Sequence, residues 1–225
     1  MKILAIDTSL GAASACLFDS SSGEVLSRET VWLDRGHDLT IVPLIDRVVA
    51  QGGGRAAIER IAVTVGPGSF TGIRVGVSAG RAIGLATGAP VVGVSSLSAY
   101  VAPLLVEWSD GVAAAAIDAR HGRTYVSAFA GGSPIIAPKI MMAREAARAM
   151  GSGPLRLAGS GAAAIAIEAW SMGFAAEVVS DAAAPDIAFV ARLGAAADPA
   201  SAPPRPLYLK APDVKTPESA AVPAV

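Results

Sequence analysis

Two aspartates in this chain close short apolar runs. Asp7 follows Ile3-Leu4-Ala5-Ile6, and Asp118 follows the run from Val112 to Ile117. A carboxylate at the end of a buried strand faces a crevice, and two such strands facing each other can hold a metal–phosphate group. The alternative is that each aspartate caps its own turn through the backbone amides of Ser9 or Arg120. Between them lies Gly66-Pro67-Gly68-Ser69-Phe70-Thr71-Gly72, which follows a strand and opens a helix. Amides in such a loop point outward and favour an anion. No lysine stands at the P-loop position, and the spacing misses the dinucleotide fingerprint. A tight turn with Ser69 or Thr71 as helix cap fits the same residues. The candidate phosphate or nucleotide loop is therefore Asp7, Gly68, Ser69, Thr71 and Asp118.

Other chemistry is thinly supplied. Histidine occurs only as His37 and His121, neither with a second His or Cys at ligand spacing, so no metal site is expected. No Gly-x-Ser-x-Gly elbow joins a strand to a helix, and Gly159-Ser160-Gly161 reads as a turn or cap. The single cysteine, Cys16, sits in the alternating run Ala13 to Phe18 and reads as a small buried residue rather than a nucleophile. Without a second cysteine there is no intrachain disulfide, which fits a reducing compartment. Arg74, Arg81, Arg120 and Arg123 can touch phosphate, although solvated or paired arginines are the default. No catalytic residue is assigned.

These residues need elements to position them. The patterns predict strands at 3–6, 13–18, 24–32, 60–65 and 90–94, and helices at 38–50, 71–87 and from Ser95 or Ser96. Ile41, Leu44, Ile45, Val48 and Val49 share one face of the 38–50 helix. Pro43 is expected near that helix's first turn. Further on come strands at 112–118, 123–130 and 155–158, and helices at 142–150, 161–172 and 186–196. The 71–87 helix carries Gly72, Gly76, Gly80 and Gly84, a stripe that lets another backbone approach closely. Its uses are packing on the chain's own sheet or docking against a partner's helix.

An internal repeat gives the organisation. Laying Asp7 over Asp118 aligns Ala5-Ile6-Asp7 with Ala116-Ile117-Asp118, Gly11 with Gly122 and Phe18 with Phe129. Both copies read strand, Asp, Gly turn, strand, and each opens one half of the chain. The expected domains are 1–109 and 110–210, with 211–225 as a flexible tail in which only the preceding Leu207-Tyr208-Leu209 looks able to dock. Apolar residues make up 52% and charged residues 16%, which suits a packed core rather than a disordered chain. Lys+Arg is 18 and Asp+Glu is 19, so no global basic field holds nucleic acid. The opening apolar run stops at Asp7, too short for a signal-peptide core, and Ile73–Ala86 is broken by Arg74 and Arg81. A cytoplasmic protein without a membrane segment is expected.

Three segments together resemble one family: Ile3 to Ser9, Gly66-Pro67-Gly68-Ser69-Phe70-Thr71-Gly72-Ile73-Arg74-Val75-Gly76, and Ile117-Asp118-Ala119-Arg120. The family is TsaB (YeaZ), the bacterial subunit of tRNA threonylcarbamoyladenosine biosynthesis. Pro206-Leu207-Tyr208-Leu209-Lys210 matches too, with Lys where Arg is common. The resemblance implies an α/β, actin-like (ribonuclease H-like, ASKHA) fold of two related domains. It implies a non-catalytic subunit that scaffolds and activates the TsaD transferase, together with the TsaE ATPase, for threonylcarbamoyl transfer to adenosine 37 of ANN-decoding tRNAs. TsaD-like relatives carry a metal-binding His-x-x-x-His after a strand like Val91-Val92-Gly93-Val94. Here Ser96 and Tyr100 occupy those positions, so no metal is expected. The resemblance places the TsaD interface on helices 38–50 and 71–87, with Ile41, Leu44, Ile45, Val48, Ile73, Gly76, Val77 and Gly80 as contacts. Gly76→Leu would then weaken the heterodimer and spare the fold. A homodimer is expected when the chain is alone, with tRNA contact indirect or weak and no cofactor beyond weak nucleotide binding at the partner interface. The alternatives are an ATP-dependent phosphotransferase or ATPase using Asp7 and Asp118, and a metallopeptidase-like enzyme.

Overall fold

The computed structural model describes residues 1–54 and 58–209. Lys210 and the expected tail, 211–225, lie outside the described residues. The first half runs β1 (Lys2–Leu10), β2 (Ala12–Asp19), β3 (Glu24–Trp32), α1 (His37–Gln51), β4 (Arg60–Gly66), α2 (Phe70–Thr87), β5 (Val91–Ser95) and α3 (Ser96–Glu107). The second repeats that order: β6 (Val112–Asp118), β7 (Arg123–Ala130), β8 (Ser133–Met142), α4 (Ala143–Met150), β9 (Leu155–Ala158), α5 (Ala162–Ser171), β10 (Ala176–Ser180) and α6 (Ile187–Ala196).

The two sheets have one topology. Strand order is β3-β2-β1-β4-β5 in the first and β8-β7-β6-β9-β10 in the second. In each, the first three strands form an antiparallel meander and the last two run parallel to the first. Asp7 and Asp118 both lie on the central strand that opens their half, as the repeat predicts.

Two strands escape the sequence pattern. β8 is an edge strand holding Pro134, Pro138 and Lys139, residues that blunt an edge and hide the strand pattern. β10 is a five-residue edge strand with only shallow burial.

The halves exchange their third helices. Ile187, Val190 and Ala191 of α6 pack on Ile3, Ala5, Cys16, Phe18, Ala62 and Val92 of the first sheet. Leu97, Tyr100, Val101 and Leu104 of α3 pack on Ala113, Ala115 and Ile117 of the second. A cut at 109/110 thus separates the sheets but leaves each third helix on the far side. Each large side chain buried this way contributes roughly 2 kcal/mol. Arg60, at the start of β4, fastens α6 by donating to the carbonyls of Gly194, Ala195 and Ala197 at 3.1, 2.9 and 2.8 Å. A guanidinium suits the negative end of a helix dipole.

On the opposite face of the first sheet lie α1 and α2, and here the structure corrects the expected partner contacts. Ile41, Leu44, Ile45, Val48, Ile73 and Val77 are buried in one cluster with Leu4, Ile6, Ile61 and Val63. Gly76 and Gly80 are buried too. The glycine stripe packs on the chain's own sheet. A Cβ at Gly72 would overlap the Thr8 carbonyl, one at Gly76 would stand 2.6 Å from Thr8 Oγ1, and one at Gly80 would overlap Val63. The apolar face of an amphipathic helix is the one its own sheet covers first. Pro43 is likewise displaced from its expected place. Helix α1 begins at His37, so Pro43 falls in the second turn. It removes the amide that would reach the Leu39 carbonyl, on a side where both residues are exposed to water.

Gly76→Leu is therefore expected to damage the fold itself. Chemical denaturation of the purified chain should register a loss of at least about 2 kcal/mol. Unchanged stability would return the stripe to the role of a partner surface.

Candidate functional site

Asp7 does not reach a crevice. Its side chain is 0% exposed, on the face of the first sheet that α3 and α6 cover. Oδ1 accepts from the Ser9 amide at 2.9 Å, the Ser9 hydroxyl at 2.7 Å and the Thr64 hydroxyl on the neighbouring strand. Ser9 Oγ in turn meets Ser96 Oγ at 3.0 Å. Asp7 Oδ2 and the Oγ of Ser14, its register partner on β2, have no hydrogen-bond partner among the described residues. Burial pushes the Asp7 carboxyl above its ordinary value, while the bonds from Thr64 and Ser9 pull it back. The expected metal–phosphate role for Asp7 fails on this geometry, because covering helices shut the carboxylate away from any ligand.

The glycine loop and Asp118 do meet. Gly68, Ser69, Thr71 and Asp118 line one cleft of about 1050 Å³ between the halves. Close backbone approach explains the glycines. A Cβ on Gly68 would overlap the Ser9 carbonyl, which also accepts from the Ser69 amide at 2.7 Å. Ser69 caps α2, its Oγ accepting from the Gly72 amide at 3.3 Å. Thr8 donates to the Gly72 carbonyl at 2.6 Å. Much of what looks like an anion cradle is thus a clasp between α2 and the end of β1. Asp118 caps its own turn, Oδ1 accepting the Arg120 amide at 2.8 Å, and it also lines the cleft.

One stretch of the cleft's rim has no signature in the sequence. His37 and Asp38 enter from the start of α1, and Asp34 and Arg35 precede it. Tyr208 shows in the sequence as part of an apolar run able to dock and of the segment matching the family. The run does dock: the Leu207 amide donates to the Val65 carbonyl at 2.7 Å. Tyr208 then lies 5.1 Å, ring to ring, from Phe70 and accepts from Arg74 Nε at 3.1 Å, while the Arg74 guanidinium covers Phe70. Sequence alone gives no sign of this pairing across more than a hundred residues. Among the described residues lining the cleft, Asp34, Asp38 and Asp118 stand with Arg35 and Arg120.

The two positions where relatives carry metal-binding histidines have other work. Ser96 Oγ is bonded to Ser9, and Tyr100 donates its hydroxyl to the Ala182 carbonyl at 2.8 Å. Burial, then the nearby Asp7, raises the Tyr100 hydroxyl pKa. These side chains do not fit a metal, and among the described residues no three His, Cys, Asp or Glu cluster as ligands. Cys16 is free, buried and pushed up to about 12 by that burial, so it is no nucleophile. No helix among the described residues is long and apolar enough to cross a membrane.

The duplicated sheets and the cleft between them define an actin-like, ribonuclease H-like α/β protein. Comparison with known proteins agrees on the fold. A solved structure described as an uncharacterized protein with similarity to peptidase YEAZ, from Pseudomonas aeruginosa, superposes with a TM-score of 0.72 at 24% identity, covering 93% of this chain and 99% of that one. The family model described as "TsaD: tRNA N6-adenosine threonylcarbamoyltransferase" matches residues 31–192. The tRNA threonylcarbamoyladenosine biosynthesis protein TsaB of Haemophilus influenzae is 39% identical over 131 residues, 56% of this chain. The chain spans about half the length of that curated relative, 53% of it. An uncharacterized protein of Mycobacterium tuberculosis is 31% identical over 214 residues, 95% of this chain and 93% of that protein. The chain belongs to the TsaD family and, within it, is similar to the TsaB (YeaZ) proteins.

Asp7 makes a pH prediction. Its folded pKa lies above the ordinary 3.8. Between those two values the folded state holds more protons than the unfolded one, so stability falls as pH rises through that interval. Asp7→Asn lacks this titration. The stability of the Asn variant relative to wild type should be flat below pH 3.8 and improve as pH rises beyond it. A relative stability that worsened with rising pH would mean the carboxylate is held as a favoured anion.

Proposed function

We propose that this chain is a non-catalytic subunit for threonylcarbamoyl transfer to adenosine 37 of ANN-decoding tRNAs. It binds a TsaD-type transferase, and a TsaE-type ATPase joins them. The observation that carries the reading is the outward side of α1 and α2. There Leu39 is 80% exposed, Val42 55% and Leu85 90%. Large apolar side chains left in water on two neighbouring helices support an interaction surface on this side of the molecule. The partner surface is thus the opposite side of the helices named from sequence, with Leu39, Val42 and Leu85 in place of the buried contacts. The same surface gives the chain alone a route to a homodimer.

The non-catalytic part rests on the site. Asp7 is sealed inside the molecule, and the hydroxyls of Ser96 and Tyr100 are committed to internal hydrogen bonds. A nucleotide at the partner interface would meet Ser69, Thr71 and Asp118 along the cleft but not Asp7. Magnesium-dependent ATP hydrolysis by the chain alone would favour the phosphotransferase alternative instead.

Threonine incorporation into tRNA, with cognate TsaC, TsaD and TsaE and with this chain present or omitted, tests the reading. Product should require the chain, and the chain alone with the threonylcarbamoyl donor should yield none. Leu39→Glu with Leu85→Glu should weaken partner binding about 30-fold or more by calorimetry and abolish stimulation. The melting temperature should hold, since both side chains already stand in solvent. Stimulation that survives a folded double variant would remove this surface from the interface.

A further inference from the structure

The turn between β6 and β7 is built against its own backbone preference. Arg120, His121 and Gly122 all adopt left-handed conformations, with φ of 65°, 54° and 71°. Glycine and asparagine take such positions at little cost, and histidine is tolerated, but arginine is not a residue a turn would choose. The conformation persists because it is fixed from several sides. The Ala119 amide donates to the Arg123 carbonyl at 2.9 Å, and the Arg123 amide to the Arg120 carbonyl at 3.1 Å. Asp118 Oδ1 holds the Arg120 amide, Ser160 Oγ accepts the Asp118 amide at 3.2 Å, and the Gly122 carbonyl accepts from the Ala143 amide at 3.2 Å. None of these bonds uses an arginine or histidine side chain. Arg120, His121 and Arg123 are all exposed, and none has an ion-pair partner among the described residues. Strain kept in place around side chains that do nothing for the fold points to work those side chains do elsewhere.

We propose that this turn is a direct RNA-backbone contact: Arg120 and Arg123, with His121 between them, bind phosphodiester oxygens of the tRNA substrate. The inference rests on the function proposed above and goes beyond it, since that reading asks for no RNA contact from this chain. Arg120 lines one wall of the cleft and Arg35 the other, so a strand of regularly spaced phosphates crossing the mouth meets cations from both halves. The chain's net charge of -1 supplies no general attraction, so the partner provides most of the affinity and this turn adds a local share.

The test uses the complex of the full chain with its TsaD-type partner and an unmodified tRNA transcript, followed by fluorescence anisotropy over a range of salt. Arg120→Ala combined with Arg123→Ala should raise Kd about tenfold or more. The log–log salt slope should fall by about one for each phosphate left without its arginine, equally for different tRNA sequences. Unchanged Kd and slope in a folded, partner-bound variant overturn the proposal. Arg123→Glu, outside the strained residues, decides the matter again if the double variant fails to assemble: weaker binding supports the contact, and wild-type binding refutes it. Strain relief supplies an independent reading. Arg120→Gly should raise the melting temperature while weakening tRNA binding, and a rise without weaker binding counts against the proposal. Competition with ATP and with inorganic phosphate separates the sources of phosphate. Displacement of tRNA by either one, dependent on Arg120, would make this a mononucleotide or phosphate site and reject the RNA assignment. Transfer measured at saturating tRNA keeps the two readings apart. Absence of stimulation by the wild-type chain sinks the proposed function, whereas unaltered tRNA affinity in the variants sinks only this contact.

Discussion

Each half of this protein completes the other. Neither sheet covers both its faces with helices of its own half alone. The first has α1 and α2 on one side and borrows α6 for the other, and the second has α4 and α5 and borrows α3. The apolar strands that face the middle of the molecule, Ile3-Ala5 on β1 and Ala113-Ala115-Ile117 on β6, would meet water without this exchange. The burial involved is of the order of a whole domain's net stability, about 5–15 kcal/mol. Two lobes joined this way are held by a shared core rather than by a linker.

The position of every candidate group follows from that exchange. The layer made by α3 and α6 covers the face on which Asp7, Ser14 and Thr64 stand, so the carboxylate ends in a closed polar pocket of the interior. Asp118 belongs to the equivalent strand of the other half but remains exposed at the cleft. The same duplication therefore gives one aspartate a structural fate and the other a surface one. On the outer side, the glycine stripe draws α2 down onto β1 and β4 until backbone and side chains touch. That contact uses up the small residues of α2 and leaves Leu85 facing out, as Leu39 and Val42 of α1 also do.

Much of this is legible in the residues. Periodicity locates the helices to within a residue or two at most ends, and the Asp–Gly repeat identifies the duplication that the two sheets display. What periodicity does not carry is the identity of the covering surface. It marks Ile41, Leu44, Ile45 and Val48 as one apolar face without distinguishing the chain's own sheet from a partner, and the sheet is what covers them. Asp7 misleads for a related reason. A strand end reads as a crevice only when nothing lies over it, and the helix over it comes from residues 187–196. The rim of the cleft is hidden because it joins residues far apart in sequence, as in the Phe70–Tyr208 contact. Prolines mask β8, whose ladder tolerates them only because it is an edge.

The borrowed helix also imposes an order on biosynthesis. A ribosome finishes β1, β2, β4 and β5 long before it reaches α6, so the first sheet emerges with its inner face, from Ile3 to Val92, open to solvent. Until α6 has left the exit tunnel, that face is a sticky surface at which chaperones or a second nascent chain compete with the native helix. Closure then depends on contacts between the two ends of the chain, the kind that topology makes slow. In a cell, the vulnerable interval for this protein falls during its own synthesis.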